Sequence, residues 1–278
     1  MSELARLSEC LPAVPRLGIA TRGNTSLSGG DVDCALSRGV RYFNWCGKPD
    51  GLSRAVAGLG ARRKEIVLAA QFKARSAEQA DREMEWILAQ TRSERLEVAT
   101  LYYVESQAEW KAITAYGGAW EVLDRYRSEG RIGMLGLTSH QRSLAAGWAG
   151  EVAPNGRRRL DMLMIRYNAA HTGAERDVFP ATSELGMPVV TFTGLRWRDL
   201  LRSTPDDPPG QPPPSAEECY RFCMMHPAVS VALAAPNGRA ELDEALRALD
   251  GRNDCDEAWV ERMRAHGRRV HRHAREFW

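Results

Sequence analysis

Short apolar runs alternate with longer amphipathic stretches along this chain. The runs fall at 16–20, 40–44, 65–71, 96–104, 132–137, 160–167, 188–192 and 229–233. Most lack polar alternation, as expected of strands buried on both faces of a parallel sheet. Between them, apolar residues recur at helical spacing. Gly29-Gly30-Asp31 opens a helix that Gly39 stops, and residues 52–59 form the next. Ser76-Ala77-Glu78-Gln79 has the capping-box pattern ahead of the stripe Ala80, Met84, Ile87 and Leu88. Further helices are predicted at 110–129, 143–149, 175–185, 215–225, 239–249 and 257–277. Eight strands alternating with helices predict an α/β fold, a (β/α)8 TIM barrel. A doubly wound sheet is the alternative, but no G-x-G-x-x-G follows the first strand. No domain boundary shows within 1–278. The pattern adds a Pro-rich surface excursion at 194–214 and a basic C-terminal helix at 255–278 with no strand after it.

The stretch 40–53 draws the eye to chemistry. An apolar strand runs out into Asn44, Trp45 and Cys46, then Gly47, Pro49 and Gly51. In α/β barrels a strand end that opens into such a loop is where functional side chains gather.

Composition narrows the function. The chain has 278 residues, 44% hydrophobic and 27% charged, with net charge +2. The densest basic cluster, Gly156-Arg157-Arg158-Arg159, reads as a solvated turn rather than a phosphate patch, and nothing favours nucleic acid. The first residues lack a basic segment followed by an apolar core, so no signal peptide is expected. No stretch has the apolar length to span a bilayer. Six irregularly spaced cysteines fit a reduced, cytoplasmic protein. Cys219 and Cys223, followed by His226, could ligate a metal, but the buried face of an amphipathic helix is the better reading, and no metal site is expected. His266, His271 and His273 read as a solvated basic helix surface.

Several segments together resemble the aldo-keto reductase superfamily over nearly the whole chain. Residues 130–139 (GRIGMLGLTS) are similar to that family's GKIRAIGVSN segment. Tyr167-Asn168, with Gly173-Ala174-Glu175 and Phe179-Pro180, resembles its sixth-strand loop. Residues 184–195 (ELGMPVVTFTGL) look like its ELGIGVVAYSPL segment. Pro227 to Val231 and Glu241 to Glu244 resemble the last strand and the helix that clamps the cofactor. The resemblance implies a (β/α)8 barrel and NADP(H) held without a Rossmann motif. It places Ser139 and Asn168 at the nicotinamide carboxamide, Phe192 against the nicotinamide ring, and Thr193 and Leu195 on the following loop. Asn237, Gly238 and Arg239 stand at the 2′-phosphate end.

The family's catalytic Asp, Tyr, Lys and His do not follow. Asn44 stands for the Asp, Asp50 for the Tyr, Gln71 for the Lys and Glu105 for the His. Two neutral amides cannot supply the positive charge that activates a phenol. Glu105 is then the best proton donor or acceptor, with Asp50 a second acid/base or merely a loop cap. Trp45, Cys46, Lys73, Tyr103 and His140 are candidates for substrate contact. Lys73 could bind an anion. Cys46 more resembles a buried inert thiol than a nucleophile. Tyr102 and Tyr103 are expected on opposite faces of their strand.

The expected function is an NADP(H)-dependent oxidoreductase with an altered proton-transfer site, reducing a carbonyl, imine or activated double bond of a small molecule. The alternatives are a redox-neutral isomerase, cyclase or lyase using Glu105 and Asp50, and a non-catalytic barrel that binds a small molecule or a partner protein.

Overall fold

The computed structural model describes residues 4–22, 25, 27–250 and 255–273. Gly23 and Asn24 of the first predicted loop, and 274–278 of the predicted terminal helix, lie outside these. Eight parallel strands close into a barrel in chain order. They are β1 (Leu17–Ala20), β2 (Tyr42–Trp45), β3 (Val67–Phe72) and β4 (Leu96–Leu101), then β5 (Ile132–Ser139), β6 (Met162–Arg166), β7 (Val189–Phe192) and β8 (Val229–Ala234). β8 pairs with β1 to complete the ring. The predicted barrel is therefore present, with each strand within a few residues of its expected place.

Strand alternation divides the core in two. Tyr42, Val67, Ala69, Val98, Met134, Met162, Val190 and Val231 pack inside the barrel. Their chain neighbours Phe43, Trp45, Leu68, Ala70 and Phe72 pack between the strands and the helices. A feature absent from the sequence reading closes the N-terminal end of the barrel. Leu4–Ala5 pairs antiparallel with Val14–Pro15, and Leu7, Leu11 and Val14 join the interior cluster. Burying each such side chain stabilises the fold by roughly 1.5–3 kcal/mol.

Two predicted helices are broken. In place of 110–129 the chain forms Gln107–Thr114 and Ala119–Ser128. Gly117 takes φ +75° at the break. Gly118 lies so close to the preceding helix that a Cβ would sit 2.2 Å from the Ile113 carbonyl oxygen. In place of 175–185 stand Ala174–Asp177 and Phe179–Glu184. Pro180 explains that break, since it has no N–H to continue the first helix.

The Pro-rich excursion is not a free surface loop. Arg196 and Leu200 at its start are buried, and the C-terminal helix Glu257–His273 packs against it. Asp207 accepts from the Thr204 N–H and from Arg269 Nε, both at 2.6 Å. Arg272 and His273 pair with Asp206 at 2.8 Å. His266, expected in solvent, is 2% exposed. Its Nε2 donates to the Leu200 carbonyl at 3.0 Å and its Nδ1 faces Asp207 at 3.4 Å. His266 and Arg269 are turned inward because the excursion carries Asp207, while His271, Arg272 and His273 stay exposed as expected. Gly267 lets the helix lie against the β6 loop, where a Cβ would meet the Ala169 oxygen at 2.0 Å. Cys219 and Cys223 lie on the buried face of their helix, as expected. Burial pushes the Cys223 thiol up to about 12, and among the described residues no group of His, Cys, Asp and Glu could hold a metal.

Burial pushes the Asp207 carboxyl up, but the Thr204 N–H and Arg269 outweigh it and hold the group at about 2. Its contribution is therefore full above the ordinary carboxylate range and lost as pH falls towards 2. Asp207→Ala should strand Arg269 and His266 and lower the melting temperature by about 5 °C or more at pH 7. Calorimetry checks this, and an unchanged melting temperature would show that the excursion is not anchored there.

Candidate active site

The strand C-termini open into a cavity of about 510 Å³. The last inward residues of several strands form its floor. Asn44 faces inward because it lies two residues beyond Tyr42, and it is 1% exposed. Its Oδ1 has no hydrogen-bond partner, and neither does the Oγ1 of Thr138, which also lines the cavity. Gln71 and Met164 complete this level. An unpaired buried polar atom costs about 1–3 kcal/mol, and both of these atoms are buried beneath the floor rather than open to the cavity.

The β4 side carries the largest correction to the expected site. Tyr102 and Tyr103 were expected on opposite faces, yet both line the cavity. β4 ends at Leu101, and Tyr103 takes φ +45°. Alternation holds only in extended backbone, so the left-handed residue brings both rings to one side. The rings lie 4.1 Å apart, and Tyr103 packs 4.5 Å from His140 and 6.2 Å from Phe192. Burial and the neighbouring Tyr102 and Glu105 push the Tyr103 phenol up to about 12, so it stays protonated at neutral pH.

Glu105 stands one layer behind. It does not line the cavity. Oε1 accepts from the His140 backbone N–H at 3.0 Å and faces His140 Nδ1 at 3.1 Å. Burial pushes the His140 imidazole down despite Glu105, so the ring is neutral and Glu105 holds its Nδ1–H. Asp50 also lies outside the lining. Its carboxylate accepts from the Ser53 N–H at 2.9 Å and caps helix Gly51–Ala57. Trp45 is fully buried in the helix layer. It stacks on Trp86 at 5.4 Å and donates to the Lys48 carbonyl at 2.9 Å. Strand alternation sends it there, away from the cavity. Cys46 and Lys73 do face the cavity, and Thr21 Oγ1 approaches Cys46 Sγ at 3.8 Å.

The expected cofactor residues divide in the same way. Phe192, Thr193, Leu195 and Asn237 line the cavity. Ser139 and Asn168 are fully buried. Ser139 Oγ accepts from the Gln141 N–H at 2.9 Å. Asn168 donates to the Thr193 carbonyl at 2.8 Å and accepts from the Ala170 N–H at 2.9 Å. Both support loops rather than face the cavity. Gly238 and Arg239 open helix Arg239–Leu246, where Arg239 pairs with Asp243 at 2.8 Å.

The loop after β7 supplies residues that the sequence reading passed over. Thr193, Arg196, Trp197 and Arg198 all have φ between +46° and +77°, a strained run of a kind found at functional sites. Trp197 and Arg198 line the cavity, and Arg198 pairs with Glu241 beyond β8. The loop thus arches over the β7–β8 side. The signal available in sequence was the dense basic-aromatic string Arg196-Trp197-Arg198. Its backbone conformation was not legible.

Behind this loop, Arg196 Nη1 donates to His171 Nε2 at 2.7 Å. Burial first, then Arg166, Arg196, His271 and Arg142, push His171 down to about 3. Folded His171 therefore stays neutral where the unfolded side chain gains a proton, and stability falls as pH drops from about 6.5 towards 3. His171→Gln keeps an acceptor for Arg196. It should remove about one proton from the pH dependence of unfolding in that window. Melting curves at pH 7 and pH 5 check this, and an undiminished slope counts against a neutral His171.

Comparison with known proteins bears on the fold. The chain matches no protein-family model. Its fold is that of the aldo-keto reductases. An aldo-keto reductase from Bacillus halodurans in its holo form superposes with a TM-score of 0.75 at 15% identity, covering 97% of this chain and 96% of that one. An aldo/keto reductase from Klebsiella pneumoniae in complex with NADP and acetate gives 0.75 at 16%, covering 96% of each chain. An uncharacterized oxidoreductase, YrpG, of Bacillus subtilis is 23% identical over a stretch that covers 59% of this chain and 56% of the relative. The match thus spans little more than half of that relative's length.

Proposed function

We propose that this barrel is an NADP(H)-dependent oxidoreductase that reduces a carbonyl, imine or activated double bond of a small molecule. The observation that carries the reading is the cavity at the strand C-termini that Asn44, Thr138 and Phe192 line together. That cavity continues along Thr193 and Leu195 to Asn237. These residues fit a nicotinamide dinucleotide. Phe192 offers a face for the ring and the Thr138 hydroxyl a partner for the carboxamide. Thr193, Leu195 and Asn237 would follow the rest of the molecule. Thr138 takes the part that the family resemblance gave to Ser139 and Asn168, whose polar atoms are engaged elsewhere. When bound, the cofactor supplies or accepts a hydride.

The proton must come from a group that faces the cavity. Tyr102 fits this better than Glu105. Its ring lies 5.9 Å from Lys73 Nζ, and an ammonium beside a phenol stabilises the charge that develops as Tyr102 Oη gives up its proton. Glu105 acts through His140, whose ring it orients against Tyr103. The redox-neutral alternative needs Glu105 and Asp50 to meet one substrate, and neither lines the cavity.

NADPH fluorescence is the first test. The protein should enhance or quench it on binding, and Thr138→Val should weaken binding by about three- to tenfold, one hydrogen bond's worth. No change up to about 1 mM NADPH would sink the reading. A panel of carbonyls, enones and imines should then reveal NADPH oxidation. On any substrate found, Tyr102→Phe should lower kcat by about 100-fold or more, and Glu105→Gln by less than about tenfold. The reverse order would return the proton to Glu105.

A further inference from the structure

We infer that the compound this site acts on carries an anionic group, a carboxylate or a phosphate ester, received by Arg22, Lys48 and Lys73. The inference rests on reading the cavity as the active site.

These three cations come from the ends of β1, β2 and β3 and line one cavity. All three are exposed at the rim, whereas the partly buried Arg75 and Arg142 pair with Glu109 at 2.6 Å and with Asp177 at 2.8 Å. Among the described residues, none of the three has an ion-pair partner. The acids that might serve are committed. Glu241, the acidic residue in the lining, is paired with Arg198. Glu105 is bound to His140. Glu83, beside Lys73, instead accepts the backbone N–H groups of Lys73 and Ala74 at 2.9 and 3.1 Å.

A fourth cation, Arg166, stands outside the cavity lining and near Glu105 and Tyr103. Arg166 lies by the Tyr103–Trp197 side of the wall, 5.9 Å from the Trp197 ring, and its Nη1 is buried with no hydrogen-bond partner. Burial, together with Arg142 and Arg196, pushes its guanidinium down, as expected where positive charge accumulates. The floor amides Asn44 and Gln71 offer no countercharge. A concave wall of one sign focuses its field on the space it encloses and raises the local concentration of the opposite ion. The cations at β2 and β3 lie across the ring from β6 and β7. They are therefore set apart from the Phe192–Leu195 loop assigned above to the cofactor, which points to the substrate as the source of the anion.

Calorimetry with benzoate and its neutral analogue benzamide tests this, with and without saturating NADP+. The ring suits the Tyr102–Tyr103 wall, and the pair differs in charge. Benzoate should bind the NADP+-saturated protein at least about tenfold more tightly than benzamide. The double variant Lys48→Met/Lys73→Met should abolish that preference, and about 0.5 M salt should weaken it. Phenyl phosphate in place of benzoate tells whether carboxylate or phosphate is preferred, and tighter binding of either anion supports the inference. Equal affinity for acid and amide, no binding of either, or a preference that survives the double variant overturns it. A preference that NADP+ abolishes also overturns it, because the cations would then serve the cofactor's phosphates and the cofactor reading would stand. Lysine-dependent preference in a chain that binds no NADPH would retire the cofactor reading and keep this one.

Discussion

A closed ring of eight parallel strands leaves each side chain only two destinations, the barrel interior or the helix layer. Tyr42 and Asn44 go inward while Phe43 and Trp45 go outward. The interior fills with Val, Ala and Met, and the N-terminal hairpin stops its lower end. What remains at the upper end is the last inward residue of each strand. The same constraint that builds the core therefore chooses Asn44, Gln71, Thr138, Met164 and Phe192 as the surface that a ligand meets.

The rim obeys different forces. Its β6–β7 side is held by the C-terminal helix, whose His266 and Arg269 are drawn inward by Asp207. That helix also bears on the β6 loop through Gly267. From this loop Asn168 reaches the Thr193 carbonyl and braces the start of the loop in which Thr193, Arg196, Trp197 and Arg198 are left-handed. A segment far from the chemistry thus supports the backbone that covers the cavity. Its cost in strain, of order 1–3 kcal/mol per residue, is tolerable only because its surroundings over-determine it.

Within this frame the mouth is neutral at its floor and positive at its rim. The acids that sequence comparison brought forward, Glu105 and Asp50, are spent on orienting His140 and on capping a helix. The groups left facing the cavity are amides, hydroxyls, phenols, the Cys46 thiol and cations, with Glu241 paired to Arg198. Such a set can bind, orient and protonate, but among the described residues it has no free carboxylate to act as a base. The proposed reduction of an anionic compound, in preference to redox-neutral acid/base chemistry, rests on that asymmetry.

Much of the barrel was legible from hydrophobic pattern alone, because burial on both faces forces continuous apolar runs and helical stripes wherever the chain alternates layers. The breaks at Gly117-Gly118 and Pro180 were visible as residues but read through, since local periodicity continues across them. Asn44, Gln71, Cys46, Lys73, Phe192, Thr193, Leu195 and Asn237 were found at the cavity because strand ends are marked by where the apolar runs stop. The sequence by itself determined the fold and the strand ends, both of which depend on residue type and spacing. Only the tertiary structure decided which polar groups remain free. Tyr103 turned to join Tyr102 through one left-handed dihedral, Glu105 was claimed by His140, and His266 was buried by acids about sixty residues away in the chain. Partnerships of this kind join residues distant in sequence, and no local pattern records them.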